Sequence, residues 1–304
     1  MAELPVVGFI GAGRVAGALA PALAAVGYRV AAVASRTGAS AERVASLVPS
    51  ATATDMQGAQ GVVDAAELVF LTTSDGAIEA AAGAVRWREG QAAVHCSGAL
   101  TLEPLAAARK QGAVTGSWHP FQTFVAQGRA EGRAEGTSTT LAGVTFGIEA
   151  DAGLYDTLAE LAKRVGGVAL PVPAGARALY HAASVMSCGY LTTLLHEAEV
   201  LWTRAGLPPE AAGPAIGVLA ETTLANLRRA GAGAALSGPT ARGDEGTVRL
   251  HLDAVAARAP ELLPLYAAVS MRSAVLAKEV GRPVGETDWA ALFAEYAPRT
   301  EGEE

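Results

Sequence analysis

A glycine-rich segment near the start of the chain has the spacing that binds a dinucleotide. It reads G-A-G-R-V-A, follows the apolar run Val6–Ile10 and begins an alanine-rich stretch of helical length. In a G-x-G-x-x-A motif the first glycine allows a tight turn, the second lets a diphosphate approach the backbone, and the alanine lets helix and strand pack closely. The N–H groups that open the helix then face the phosphates. The residues expected to contact the cofactor here are Gly11, Ala12, Gly13, Arg14 and Val15. A glycine-rich turn of another α/β fold is the alternative.

The end of the next apolar run indicates which dinucleotide is bound. Ser35, Arg36 and Thr37 stand where NAD-specific proteins carry an Asp or Glu that holds the ribose 2′-hydroxyl. Without that carboxylate a 2′-phosphate is not repelled, and an arginine can form paired hydrogen bonds with it. The sequence therefore predicts NADP as the cofactor, and an ordinary solvated arginine is the alternative.

Hydroxyl side chains follow two later apolar runs. Thr72, Thr73 and Ser74 belong to the segment T-T-S-D, and Ser97 belongs to H-C-S-G. Ligands of open α/β sheets bind outside the carboxyl ends of the strands. We therefore expect these side chains to contact the ribose or nicotinamide, and Asp75 to cap the helix that follows.

A proton donor is expected wherever a hydride is added to a carbonyl or imine. His181 is the leading candidate, because it lies early in the first helix-like stretch after Pro173 and histidine titrates near neutral pH. The i, i+3, i+7 spacing of His181, Ser184 and Cys188 predicts one helical face, which would place Ser184 beside the substrate. A hydrogen-bonded core histidine is the alternative.

Four further histidines have different expected roles. His119, in W-H-P-F, is with Ser97 a second candidate for the catalytic group, and a hydrogen bond to buried backbone is its alternative role. His95 is expected to be structural. His196 and His251 are expected to lie on helices as surface or packing residues.

A polar turn late in the chain reads G-P-T-A-R-G-D. Its glycines, Thr240 and Arg242 are suited to binding an anion such as a substrate carboxylate. The alternative is an interdomain loop in which Arg242 and Asp244 form an ion pair.

The pattern of apolar runs predicts the elements that carry these residues. In the first half, short runs bounded by glycine alternate with alanine-rich stretches of helical length, which indicates parallel β-α-β units in a doubly wound sheet. After Pro173, apolar residues recur at helical spacing without strand-like alternation. We therefore predict an α/β fold, with a Rossmann domain over residues 1–173 and an all-α domain over 174–304. Residues 128–139, with a tandem R-A-E-G, are expected to form an exposed loop or flap.

Composition excludes several classes of protein. The 304 residues are 51% hydrophobic and 17% charged, which excludes a disordered chain. A net charge of −7 does not suit binding to nucleic acid. The only two cysteines, Cys96 and Cys188, are isolated, so neither a structural metal nor a disulfide scaffold is expected. The nearly uncharged stretch Ala16–Ala34 is broken by Pro21, and no signal peptide is recognised, so we expect a cytoplasmic protein that does not enter a membrane.

Taken together, the motifs resemble a known family. The segments G-F-I-G-A-G-R-V-A-G, S-R-T, T-T-S-D, H-C-S-G, W-H-P-F-Q-T-F, Y-H-A-A-S-V and G-P-T-A-R-G-D occur in this order. The set resembles a bacterial family with a Rossmann-like domain followed by a domain of unknown function (DUF2520), which is similar to pyrroline-5-carboxylate reductases and β-hydroxyacid dehydrogenases. The resemblance implies a C-terminal domain of the 6-phosphogluconate-dehydrogenase type, packed as a homodimer, and it implies no substrate. The chain departs from the family at Gly189, where an Asn is common, and it lacks the helix lysine of β-hydroxyacid dehydrogenases.

These observations predict an NADP-dependent oxidoreductase that transfers a hydride between the nicotinamide and a small carbonyl, imine or hydroxy-acid substrate. Two other functions stay open. The departure at Gly189 and the missing lysine favour a sensor or scaffold that binds NADPH without catalysis. Deazaflavin-dependent reductases share the glycine motif.

Overall fold

The computed structural model describes residues 4–124, 141–285 and 287–296, and the chain divides into two compact units between Cys188 and Gly189. The strands are β1 Val7–Ile10, β2 Val30–Ser35, β3 Thr52–Asp55, β4 Leu68–Leu71, β5 Ala92–His95, β6 Val114–Pro120, β7 Thr145–Ala150 and β8 Val168–Pro171. The helices of the first unit are α1 Arg14–Ala25, α2 Gly38–Ala45, α3 Ala59–Asp64, α4 Ile78–Gly83, α5 Ala106–Arg109, α6 Leu154–Arg164 and α7 Arg177–Val185. The predicted loop over 128–139 lies outside the described residues. The predicted domain boundary after residue 173 stays a prediction.

The strands of the first unit form one sheet in the order β3-β2-β1-β4-β5-β6-β7-β8. The first six run parallel, which is the strand order of a dinucleotide-binding fold. Because a parallel sheet is covered on both faces, its central strands are apolar throughout, and all four residues of β1 and of β4 are buried. The predicted α/β fold is confirmed.

Two apolar layers cover the sheet. On one face, α1, α2 and α6 pack against the strands; Ala16, Leu19 and Leu23 recur along α1 at the spacing of one buried helical face. On the other face, α3 and α4 pack through residues such as Val62 and Ile78. The candidate site lies at the edge of the sheet where the parallel strands end.

β7 reverses the direction of the sheet. It pairs antiparallel with β6, and β8 then runs parallel to β7. The backbone N–H of Phe121 donates to the Thr145 carbonyl at 2.8 Å, so the end of β6 and the start of β7 adjoin as in a hairpin. β8 forms an edge of the sheet, and its Val168 side chain is 56% exposed.

The sequence patterns missed β3 and α3. β3 reads T-A-T-D and is mostly exposed, because it forms the opposite edge of the sheet. It therefore lacks the apolar run by which the other strands were recognised. α3 spans only six residues, which is too short for a clear helical period.

The second unit is helical. Its helices are α8 Leu191–Arg204, α9 Pro209–Ala235, α10 Glu245–Arg258, α11 Leu263–Glu279 and α12 Trp289–Ala294. Val248 and Leu252 of α10 pack with Ala274 of α11 and with Trp289 and Phe293 of α12. The predicted all-α character of this region is confirmed. No helix within the described ranges combines the length and the apolar character that a membrane span needs.

Residues Met186–Tyr190 form a π-helical turn after α7. The prediction that His181, Ser184 and Cys188 share one face assumed a regular α-helix. His181 and Ser184 lie in α7, but Cys188 lies in the π-helical turn. A π turn winds by more residues than an α turn, so it changes the direction in which Cys188 projects relative to them.

Candidate active site

The glycine turn closes tightly onto the end of β4. Gly11 has φ of +110°, and a Cβ added to it would lie 2.5 Å from the carbonyl carbon of Thr72. The Thr72 hydroxyl donates to the Gly11 carbonyl at 2.7 Å, which ties the two strand ends together. Only glycine fits this combination of backbone angle and contact.

The start of α1 is open to a ligand. Gly13 precedes the helix, and no described side chain caps its N-terminal N–H groups. A Cβ on Gly13 would come no closer than 3.9 Å to its nearest neighbour, the Thr72 carbonyl, so the space above this backbone is free. Unpaired N–H groups and the positive end of a twelve-residue helix suit a phosphate group.

An open cavity of about 590 Å³ extends from this turn. Its lining residues are Gly11, Ala12, Gly13, Ser35, Arg36, Ser40, Arg43, Met56, Thr72, Thr73, Ser74, Ala77, Ala80, Ala81 and Ala84. Two arginines and no carboxylate stand among these described lining residues. Asp55, at the end of β3, is not among the lining residues. Its carboxylate accepts hydrogen bonds from the N–H groups of Gln57 and Gly58. The lining therefore combines two positively charged side chains and several hydroxyl groups with a set of alanines.

Most of the predicted cofactor residues line this cavity, and three do not. Arg14 and Val15 lie in the first turn of α1, and Thr37 precedes α2, where its hydroxyl donates to Ser40. The sequence analysis missed Ser40 and Arg43. These two residues lie about one turn apart on α2. Their three-residue spacing would have indicated that they share one face of that helix. Arg43 also donates to the Ala12 carbonyl at 3.2 Å, so it is held beside the glycine turn.

Two of the predicted catalytic histidines converge at a second position in the first unit. The His119 and His181 rings lie 6.0 Å apart between centroids and meet edge to face. Both rings abut Gly98: a Cβ there would lie 2.6 Å from Cδ2 of His181 and 2.7 Å from Nε2 of His119. Gly98 therefore provides the space that the two imidazoles occupy.

His119 is held by a tyrosine that the sequence analysis did not assign. Nδ1 of His119 lies 2.8 Å from the Tyr180 hydroxyl, and the two rings meet at 84°. Burial above all, together with the neighbouring His181 and Arg177, lowers the pKa of His119 to about 4. The imidazole is therefore neutral at physiological pH.

Ser97 joins the histidines to the cavity. Its hydroxyl donates to the Asp75 carboxylate at 2.8 Å and accepts from the N–H groups of Ala99 and Leu100. Asp75 directly follows Ser74, which lines the cavity, and Ser97 directly precedes Gly98, so this hydrogen bond connects a segment of the cavity wall to the turn that carries Gly98. The expected cap was wrong: Ser74 precedes the turn, and Asp75 binds Ser97 instead of capping.

His95 has a structural environment, as its position at a strand end indicated. Its Nδ1 accepts from the Ser97 N–H at 3.2 Å, so Nε2 carries the proton that is donated to the Thr101 carbonyl at 3.0 Å. Burial lowers the pKa of His95 to about 4. The ring thus shapes the turn that carries Ser97 and Gly98.

A buried ion pair fixes the start of α7. Arg177 is 2% exposed; its Nε donates to Glu149 at 2.6 Å and its Nη1 donates to the Ser97 carbonyl at 3.1 Å. Nη2 has no hydrogen-bond partner within the described ranges. Tyr180 and His181 lie one turn further along α7, so the Arg177–Glu149 ion pair helps to fix their position against the sheet.

The remaining candidates occupy other positions. Ser184 is half-buried on α7. In the second unit, Thr240 is buried and Arg242 is exposed in a short 3₁₀ turn. Asp244 caps α10 by accepting from the Thr247 N–H at 3.0 Å, and its carboxylate also interacts electrostatically with Arg242. The described parts of the chain contain no cluster of three His, Cys, Asp or Glu side chains suited to a metal.

Solved structures share this fold over most of the chain. A Bacteroides fragilis protein to which NADP oxidoreductase activity has been ascribed is 25% identical, with a TM-score of 0.70 over 90% of this chain and 98% of its own. A pyrroline-5-carboxylate reductase from Streptococcus pyogenes is 16% identical, with a TM-score of 0.62 over 91% and 98%. A reductive aminase from Aspergillus terreus, in complex with NADPH and ethyl levulinate, is 15% identical, with a TM-score of 0.58 over 97% and 100%. No curated protein matches the sequence.

Two family models match the chain one after the other. A Rossmann-like domain matches residues 2–120, and a domain of unknown function (DUF2520) matches residues 144–273. The resemblance drawn from the motifs is thereby confirmed: the chain carries a Rossmann-like domain followed by a DUF2520 domain.

Proposed function

We propose that the protein is an NADP(H)-dependent oxidoreductase that transfers a hydride to or from a small carbonyl, imine or hydroxy-acid substrate. One observation carries the proposal: the cavity that begins at the glycine turn is lined by two arginines and by no described carboxylate. The dinucleotide proteins of similar fold, with the NADPH complex among them, support the same function.

The lining residues fit NADP in three parts. The Gly11–Gly13 turn and the uncapped start of α1 hold the diphosphate. Arg36 and Arg43 hold the 2′-phosphate, with Ser35 and Ser40 as hydroxyl donors beside them. The alanines of α4 leave an apolar floor for the adenine. When bound, the cofactor supplies the hydride that the reaction requires.

The histidines are proposed to supply the acid. His181 is half-buried and lies against His119 at Gly98, the residue that follows Ser97. We assign proton donation to His181 and substrate hydrogen bonding to His119. Ser97 supports both through the turn that it caps. Ser184, Thr240 and Arg242 remain candidates for substrate contacts, with Arg242 for a carboxylate.

A homodimer is part of the proposal. α9 exposes Val218 and Leu219, both about two-thirds accessible, and α8 exposes Leu194. Exposed apolar side chains on neighbouring helices of one unit are typical of a surface that a partner covers. A second copy of the chain fits the dimer that the family resemblance implies.

Cofactor titration tests the proposal. Calorimetry should show that the protein binds NADPH more tightly than NADH. A charge-assisted hydrogen bond contributes about 1.5–3 kcal/mol, so Arg36→Ala and Arg43→Ala should each weaken NADPH binding about 10- to 150-fold and leave NADH binding unchanged. Arg86→Ala is the control, because Arg86 is exposed and does not line the cavity. Equal binding of NADH and NADPH would contradict the proposed specificity.

Turnover distinguishes the enzyme from the other functions. NADPH oxidation with a panel of keto acids, aldehydes and cyclic imines should identify a substrate class. Tight NADPH binding without oxidation across the panel would favour the non-catalytic sensor. Binding of a deazaflavin in place of NADPH would favour the deazaflavin-dependent reductase.

A further inference from the structure

We propose that Tyr180 is a positioning residue that fixes His119 as the tautomer protonated on Nε2, so that His119 offers the substrate a neutral N–H donor beside Gly98. This inference rests on the proposed function for its substrate and on the geometry of the first unit for its tautomer.

We infer the direction of the Tyr180–His119 hydrogen bond from the acceptors within reach of the tyrosine hydroxyl. The Tyr180 hydroxyl has two acceptors within reach, Nδ1 of His119 at 2.8 Å and the His119 carbonyl oxygen at 3.5 Å. Only the first is a normal hydroxyl hydrogen bond. A half-buried hydroxyl satisfies its single proton at the shorter distance, so O–H donates and Nδ1 accepts. A neutral ring that accepts at Nδ1 carries its proton on Nε2.

A glycine in the sheet leaves the space that the Tyr180 hydroxyl occupies. Gly147 of β7 pairs with His119 of β6 across the antiparallel ladder. A Cβ on Gly147 would lie 2.4 Å from the Tyr180 hydroxyl oxygen, so any larger residue would displace the tyrosine. A glycine opposite His119 therefore reserves the space from which Tyr180 reaches Nδ1.

The other edge of the His119 ring faces the position where the histidines meet. Nε2 lies nearest to Gly98, together with Cδ2 of His181. No group in the described ranges accepts a hydrogen bond from Nε2, and Nε2 is not among the buried unpartnered atoms. The N–H is thus available to a ligand.

The surroundings keep this donor neutral. His181 lies against the ring, and burial is the largest cause that lowers the pKa of His119; His181, Arg177 and His95 also lower this pKa, and Asp75 raises it. A neutral N–H that is aimed before the reaction stabilises charge that develops on the substrate oxygen or nitrogen. Proton delivery is left to His181.

The second unit contains an internal control. Nδ1 of His251 lies 2.7 Å from the Tyr266 hydroxyl, and the rings meet at 84°, the angle of the His119–Tyr180 pair. His251 is exposed and belongs to no proposed site. Tyr266→Phe therefore removes an equivalent hydroxyl without touching the candidate active site.

Nitrogen NMR of the histidine rings tests the tautomer directly. The chain has five histidines, so a protein labelled with ¹⁵N-histidine gives a tractable long-range ¹H–¹⁵N spectrum. We expect a single Nε2–H tautomer for His119 between pH 6 and 8. Tyr180→Phe should convert it to a mixture, and Tyr266→Phe should change His251 only. A wild-type ring protonated on Nδ1, or a His119 spectrum unchanged by Tyr180→Phe, would overturn the proposal.

Kinetic measurements test whether the Nε2–H of His119 contributes to turnover. At metal sites, mutation of the partner that orients a histidine costs about 10- to 100-fold. We expect a loss of the same order here, so Tyr180→Phe should lower kcat with the NADPH Kd unchanged. Replacement of the ring gives a second test: His119→Gln, whose amide reaches the Nε2 position, should retain more turnover than His119→Asn. Full turnover in Tyr180→Phe would refute the positioning role. The NMR result does not depend on cofactor binding. If only the proposed function fails, the protein will not bind NADPH but His119 will still show the Nε2–H tautomer.

Discussion

Loss of the Glu149 carboxylate should destabilise the first unit more than loss of any exposed ion pair. Glu149→Gln keeps the shape of the side chain and removes its charge. Arg177 would then be a guanidinium, 2% exposed, with no carboxylate to compensate it. Its Nη2 already has no partner in the described parts of the chain, and its Nη1 donates to the Ser97 carbonyl, which carries no charge.

The burial of the pair sets the expected size of the effect. Removing one partner of a buried ion pair costs about 3–5 kcal/mol, because the other charge stays desolvated and unpaired. The control is Glu160→Gln in α6 of the same unit. Glu160 binds Arg164 at 2.8 Å, close to the 2.6 Å of the buried pair, but these side chains are 46% and 40% exposed. An exposed pair one helical turn apart contributes only about 0.3–0.5 kcal/mol.

Urea unfolding measures both variants. Trp87 and Trp118 are buried in the first unit and report on it when Trp202 and Trp289 are replaced by Phe. With a urea dependence of about 2–3 kcal/mol per molar, Glu149→Gln should lower the midpoint by about 1–2 M and Glu160→Gln by far less. The double variant Glu149→Leu/Arg177→Met should be more stable than Glu149→Gln. A Glu149→Gln midpoint within 0.3 M of wild type, about 0.6–0.9 kcal/mol on that slope, would refute the reasoning.

Two further predictions concern the histidine cluster. Gly98→Ala places a methyl group against His119 and His181, so we expect about 1–3 kcal/mol of destabilisation and loss of turnover. NADPH affinity, measured by calorimetry, should be retained, and unchanged turnover would contradict the packing. His95 and His119 both have a pKa of about 4 in the folded protein against an ordinary value of 6.5. Between these values the unfolded chain binds more protons, so stability should fall as pH decreases from about 6.5 to 4, with uptake of about two protons on unfolding. Urea unfolding across this range checks the slope, and His119→Gln should remove about one proton from it.

The cofactor half of the site was largely predictable from local sequence. The glycine turn, the strand before it and the helix after it are contiguous, so their spacing defines their geometry. Arg36 follows a strand end and was found in the same way. Arg43 was missed because its contribution depends on how α2 is rotated against the turn, which the sequence does not state directly.

The histidine half depends on contacts between distant residues. Tyr180 and His119 are 61 positions apart, and their hydrogen bond requires the reversal of β7 and the glycine at 147. Arg177 is a charged residue, which sequence reasoning places in solvent, and only the packing of α7 shows it buried. Asp75 was assigned a local cap because its distant partner, Ser97, was not foreseeable from spacing.

The exposed edge strand β8 has a consequence for handling the protein. An unpaired strand edge with apolar side chains is a place where separate molecules can associate into aggregates. β8 is only four residues long and ends in Pro171, which has no N–H to donate, and Pro173 follows closely. These prolines shorten the stretch on which a strand of another molecule could pair, which limits association at this edge even though Val168 and Leu170 are exposed there.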